Sequence, residues 1–227
     1  MPNHVSHRVF VRGNGAAVKQ FKNKHFRLIH EDGAQVPHFE FNSIIAMPAG
    51  MEKIIDGSDT DEALHLLQCL EKGDKTARIR LDAMKQKYSN IEEQGRLRLK
   101  YLKETGHSSW YDWRVEHWGT KWPAYETKIV GESEGYLEFT FETAWDTPLP
   151  IFHQLAREWP ELTLEIYAFD EGWCFGCGGW YNANGKESYD YIDRTELTDE
   201  LYQKVYGFPP QRGVVNHELM DREEIRR

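Results

Sequence analysis

Twice along this chain a period-two apolar pattern yields to a helical spacing and then returns, and few folds accommodate that arrangement. Residues 4–12 alternate, with Val5, His7, Val9 and Val11 on one side, which predicts a strand with one buried face. Gly13-Asn14-Gly15 interrupts it, and Ala16 to Phe26 reads as a helix with Val18, Phe21 and Phe26 turned inward. After Pro37 the alternation resumes from Phe39 to Ala46, through Phe39, Phe41 and Ile44/Ile45, and Pro48 and Gly50 close it. The second unit opens with Tyr136 to Thr143, where Leu137, Phe139 and Phe141 share a face. Thr147 then offers an N-cap with Pro148 at the first helical position. Ile151, Phe152, Leu155 and Trp159 form an apolar stripe, Pro160 ends it, and Leu162, Leu164, Ile166 and Ala168 mark the returning strand. Two β-α-β units in one chain predict an α+β fold, a ferredoxin-like split βαβ sandwich with helices on one face of an antiparallel sheet. The name describes a shape: the cysteines an iron–sulfur cluster requires are missing, and no cofactor is expected.

Between the two units, residues of about 52–105 read as a helical insert. Thr60-Asp61-Glu62 starts one helix, with Leu64, Leu67 and Leu70 at helical spacing and Gly73 at its end. A second helix from Thr76 carries Ile79, Met84, Tyr88, Ile91, Leu97, Leu99 and Leu102 among dense mixed charge, the signature of a solvated outer face. Gly131 and Gly135 read as a linker. Beyond Ala168, Asp170-Glu171-Gly172 turns into a strand at Trp173–Tyr181, and Asn184-Gly185 turns into another at Glu187–Ile192, adding a C-terminal hairpin. Residues 1–195 thus form one domain with its insert. Residues 196–227 hold a short helix, Thr198–Tyr206, and a polar tail from about Pro209.

Charge separates along the chain. Residues 1–51 carry six Lys/Arg against three Asp/Glu, residues 52–105 eleven of each, and residues 106–227 eleven against twenty-three. So acidic a C-terminal half disfavours direct binding of nucleic acid, whose phosphates it repels, and suits a partner with a basic surface. Solubility alone is the plainer explanation. Three cysteines, Cys69, Cys174 and Cys177, do not make a disulfide framework. No apolar run approaches the roughly 20 residues of a membrane span, and the opening residues lack signal-peptide features. The expected setting is the cytoplasm, away from membranes.

Residues 110–122 hold four tryptophans: Trp110, Trp113, Trp118 and Trp122. If Trp113 to His117 is extended, Trp113, Val115 and His117 face one side and Arg114 and Glu116 the other. A turn at Gly119 then throws Lys121 and Trp122 back across the sheet. Rings beside cations suit planar ligands, phosphates or a partner's apolar anchor, so Trp110, Trp113, Arg114, Glu116, Trp118, Lys121 and Trp122 are the candidate ligand- or partner-binding residues. The plainer reading is that these rings close a core over the insert.

The Trp110–Trp122 block is similar to the signature of a YubB-type, Api-like family from phages and conjugative plasmids that carries a ferredoxin-like domain. Further likeness lies in Pro2-Asn3-His4-Val5, in Leu137-Glu138-Phe139-Thr140-Phe141 followed by Thr143-Ala144-Trp145, and in Trp159-Pro160 before Leu162. The resemblance implies the fold and a mobile-element origin, and it transfers no catalytic residue.

Other candidates carry less. Cys174 and Cys177 form one Cys-x2-Cys inside an expected strand, where residues three apart point to opposite faces, so no metal site is expected. His117 and His153 stand isolated in the sequence, and the signatures of zinc proteases, serine hydrolases and phosphate-binding loops are missing. Asp170/Glu171 and Asp190/Asp193 flank turns, where acids are usually solvated. The leading expectation is a non-enzymatic mobile-element protein that contacts a host protein, with a defence or regulatory system as the expected target. Second comes a small-molecule binder, such as one for a nucleotide signal, using the Trp-rich block. A metal-dependent hydrolase built on the acidic pairs is third. An exposed sheet edge leaves a homodimer open.

Overall fold

The computed structural model describes residues 3–31, 33–183 and 186–211. Its regular elements are β1 (His4–Arg12), α1 (Gly15–His25), β2 (Phe26–Glu31), β3 (Ala34–Phe39), α2 (Ser58–Glu71), α3 (Thr76–Lys87), α4 (Ile91–Thr105), α5 (Trp110–Trp118), β4 (Tyr125–Ser133), β5 (Tyr136–Ala144), α6 (Leu149–Glu158), β6 (Thr163–Asp170), β7 (Phe175–Ala183), β8 (Lys186–Asp193) and α7 (Asp199–Tyr206).

Six strands make one antiparallel sheet in the order β4-β5-β1-β6-β7-β8. β1 lies between β5 and β6, with Val9 opposite both Phe139 and Ile166. The β1-α1-β4 and β5-α6-β6 units therefore interleave, which is the ferredoxin-like topology. β7 and β8 extend the sheet as the C-terminal hairpin. Val9, Val11, Leu137, Phe139, Leu164 and Ile166 project from the sheet into one core with Val18 and Phe21 of α1 and Ile151, Phe152 and Leu155 of α6. On the opposite face α7 sets Leu201 and Val205 against Phe169.

The strand that completes the first unit is Tyr125–Ser133, in the stretch read as a linker, and not Phe39–Ala46. Phe39 and Phe41 are fully buried, so their alternation reports burial correctly. The chain nevertheless turns there: Glu40 accepts a hydrogen bond from the Asn42 N–H at 2.9 Å, and Phe41–Ser43 form a 3-10 turn. β4 escapes notice because it is an edge strand, polar on its outer face and bulged between Tyr125 and Lys128 and again between Ile129 and Gly131.

Everything from Phe26 to Ala124 is thus an excursion between α1 and β4. It opens with the β2–β3 hairpin, continues through α2, α3 and α4 where two helices are expected, and ends with α5. The second expected helix breaks at Tyr88, whose backbone is extended (φ −132°, ψ 99°). Helices α2 to α4 bury Ala63, Leu66, Leu67, Ala77, Leu81, Ile91 and Leu99 in a core of their own. Gly95 lets α4 approach α2, since a Cβ there would stand 2.9 Å from the Leu67 side chain and 3.0 Å from the Ala63 Cβ.

Smaller differences appear downstream. The Thr147 side chain does not cap α6. Its Oγ1 lies 3.6 Å from the Cys177 Sγ, and the helix begins at Leu149 after Pro148. The expected turn at Asn184-Gly185, the opening Pro2 and most of the polar tail lie outside the described residues.

Candidate functional site

The Trp-rich block is a helix rather than an extended segment. Ser109 caps α5 by accepting a hydrogen bond from the Asp112 N–H at 3.2 Å, and Gly119, at φ +78°, ends it. Both signals stand in the sequence, with the nine helical residues between them, and they override the extended alternative. Helical spacing then sorts the side chains by fours. Trp113 and His117 stack, with ring centroids 4.3 Å apart and planes 3° from parallel. Trp110, Arg114 and Trp118 share another face, where the Arg114 guanidinium lies 4.8 Å from one indole and 5.0 Å from the other. Burial draws the Arg114 pKa down from its usual range, with Glu52 opposing.

The indoles tie this helix to the rest of the chain. Trp118 donates its N–H to the Ile45 carbonyl at 2.9 Å, and Trp110 donates to the Ile54 carbonyl at 3.2 Å. Trp113 and Trp118 are buried; Trp110, Arg114, Lys121 and Trp122 are half-buried, and Glu116 is exposed. Past Gly119 the chain carries the Lys121 Nζ to 4.8 Å from the Trp145 ring, 5.1 Å from Trp122 and 5.9 Å from Tyr111. Both cations of the block therefore already face the chain's own rings. Trp145 is 44% exposed and holds a left-handed backbone (φ +73°), a conformation that a bulky residue adopts only when its surroundings impose it.

Trp122 also ends a groove of about 1160 Å³ between the β2–β3 hairpin and β4. Phe26, Leu28, Val36, Pro37 and Ile129 supply most of its apolar wall. Leu28 is 66% exposed there. The hairpin is held over β4 by the Phe39 N–H, which donates to the Thr127 Oγ1 at 3.2 Å.

Three of the four acids in these pairs are engaged at turns, and Asp190 is exposed within β8. Asp170 is buried and accepts from the Cys174 N–H at 3.1 Å, while Glu171 accepts from the His4 N–H at 2.7 Å. Asp193 accepts from the Thr195 N–H and hydroxyl, bonds that hold its carboxyl below the usual range. The thiols diverge: Cys177 is buried beside Thr147, and Cys174 is exposed in the turn. Burial pushes both thiols up. His117, isolated in the sequence, meets His107 and Glu116, and these three could hold a metal ion.

Residues 121–208 match the family model described as a ferredoxin-like domain in Api92-like protein. The matched span runs from Lys121 and Trp122 through α7; it leaves out β1, on which the sheet is centred, and nearly all of the excursion. The fold is ferredoxin-like on both this match and the strand order. No curated protein matches. A solved structure, protein api92 from Yersinia pseudotuberculosis, aligns over 87% of this chain and 96% of its own, with 14% identity and a TM-score of 0.37. No helix among the described residues is long and apolar enough to cross a membrane.

Proposed function

We propose that the chain is a non-enzymatic binding protein of a mobile element, acting through protein–protein contact on a host defence or regulatory protein. The observation that carries this reading is the apolar groove between the hairpin and β4, with Leu28 exposed on one wall and Trp122 at its end. An indole beside a concavity is the kind of aromatic anchor that dominates protein interfaces, and the exposed aliphatic wall supplies apolar area that a partner would bury. Trp122 joins the groove to the surface formed by Lys121, Tyr111 and the exposed Trp145, so one continuous face is available. Trp110 and Arg114 lie on the helix face that Trp118 shares, Trp113 and Trp118 are buried in the core, and Glu116 is exposed beside His107. The mobile-element origin rests on the sequence resemblance, and the host target on that resemblance together with the missing catalytic signatures and the acidic C-terminal half.

The small-ligand alternative is weaker because Arg114 and Lys121 would first have to leave their own rings. The hydrolase alternative is weaker because Asp170, Glu171 and Asp193 are engaged in turns.

The test is recovery of a host protein by wild type, Leu28→Asp and Ile79→Asp as immobilised baits. Ile79 is 74% exposed on the insert, away from the groove lining. A protein retained by wild type and Ile79→Asp but lost with Leu28→Asp supports the groove. Equal recovery by all three contradicts it.

A further inference from the structure

The connector between α4 and α5 brings His107 to the end of α5, beside Glu116 and His117. Gly106, at φ +83°, ends α4, and the His107 N–H donates to the Thr105 Oγ1 at 3.2 Å. Ser109 then starts α5. Caps on both sides thus fix where His107 stands, and α5 carries Glu116 and His117 back to it. The Nε2 of His107 lies 3.3 Å from a Glu116 carboxylate oxygen, and the His107 and His117 rings meet edge-on with centroids 5.3 Å apart. One ligand atom from each of the three lies within 4.8 Å of the others.

We propose that His107, Glu116 and His117 form a site for a divalent transition-metal ion of the zinc type. Two imidazoles and a carboxylate are the donors such ions favour. Around a tetrahedral ion bound at about 2.0–2.1 Å, donor atoms stand about 3.3 Å apart. The His107–Glu116 spacing already meets that requirement. The remaining adjustment, from spacings of up to 4.8 Å, falls on the His107 and Glu116 side chains, which close on the His117 ring that Trp113 holds.

His117 supplies the second, independent indication. Its Nδ1–H donates to the Trp113 carbonyl at 2.9 Å, which places the proton on Nδ1 and leaves the Nε2 lone pair for an ion. Metal-bound histidines are typically oriented in this way, the other ring nitrogen donating to a carbonyl or carboxylate. Stacking on Trp113 holds the ring plane, so a ligand is presented without further ordering. Three protein donors leave the fourth position to water. This site does not line the groove, and neither proposal depends on the other.

Calorimetric titration of the untagged full chain with Zn2+ is the test, repeated with His107→Ala, His117→Ala, Glu116→Gln and the control His30→Ala. One equivalent should bind to wild type and to His30→Ala with equal affinity. His107→Ala and His117→Ala should each weaken binding at least tenfold, and Glu116→Gln several-fold, with Co2+ giving a visible absorption band in wild type and His30→Ala that is diminished in the three site variants. Because His117→Ala removes a ring that packs on Trp113, far-UV circular dichroism accompanies each variant. His107→Ala and Glu116→Gln leave that stack in place and settle the question if His117→Ala is unfolded. No saturable binding to wild type, or full affinity in both His107→Ala and Glu116→Gln, would overturn the site.

Discussion

Acid should weaken this fold through two histidines buried in the neutral form, and His7 isolates the effect. Its ring sits at the centre of the sheet, 1% exposed and stacked on Phe141 with centroids 4.5 Å apart and planes 7° from parallel. Neither ring nitrogen has a well-formed hydrogen bond. Burial pulls the pKa from 6.5 down to about 3, and the nearby backbone of Phe141 and Val5 offsets only part of that. His25 behaves alike, drawn down to about 4 by burial despite the neighbouring Glu158. It accepts the Trp159 indole N–H on Nε2 at 3.0 Å, and its Nδ1 meets the Ser43 hydroxyl at 2.8 Å. In both cases the folded chain binds fewer protons than the unfolded chain once the pH falls below 6.5. Stability is therefore whole above pH 6.5 and declines as the pH falls toward the folded values, by about 1.4 kcal/mol per unit and per histidine. At about pH 5 each costs about 2 kcal/mol, a large share of a typical domain stability of roughly 5–15 kcal/mol. His7→Leu removes one of the two groups and also two poorly satisfied polar atoms, so near neutral pH it should be at least as stable as wild type. Urea unfolding followed by tryptophan fluorescence should show the variant losing about 2 kcal/mol less than wild type between about pH 7.5 and pH 5. Equal losses in the two proteins would refute the assignment.

Other outcomes follow from the packing. Arg98 is 2% exposed and reaches Asp56 at 2.9 Å, the Thr60 hydroxyl at 3.2 Å and the Asp61 carboxylate. Arg98→Ala removes a buried side chain that ties α4 to Asp56, Thr60 and Asp61 and should cost about 2 kcal/mol by chemical denaturation; a change under about 0.5 kcal/mol would show that the cluster adds little. Trp118→Ala should cost about 3–5 kcal/mol, because the side chain is fully buried and anchors Ile45. Trp145→Ala, at a half-exposed ring, should cost no more than about 1 kcal/mol while reducing partner binding. The opposite ranking would mean that Trp145 is a packing residue. Thermal unfolding should stay unchanged across a panel of nucleotides, and a rise of several degrees with one of them would favour the small-ligand reading.

What the sequence discloses of this molecule follows burial. β1, β5 and β6 lie inside the sheet with one face on the core, so their alternation is clean. β4 is an edge strand with two bulges, and its period is correspondingly blurred. The β2–β3 hairpin hides for a similar reason: Arg27 to Glu31 are all exposed, so no apolar period marks the strand, and only the Asp32-Gly33 dipeptide announces a turn. The Trp-rich helix was legible from its caps, since Ser109 and Gly119 bracket it, whereas the aromatic content alone fits either geometry. The groove was not legible, because its walls come from two segments about a hundred residues apart. The His107–Glu116–His117 cluster likewise depends on a connector whose path follows from the Gly106 backbone, and no spacing rule encodes it.

The groove is the centre of this account, and site-specific photo-crosslinking tests it most directly. A benzophenone side chain would replace Leu28, Trp122 or Ile79 in the full chain, which is then irradiated in lysate of the cell that carries the protein. One shared adduct is expected from positions 28 and 122 and none from position 79. Adducts of equal yield from all three positions, or from position 79 alone, would contradict it.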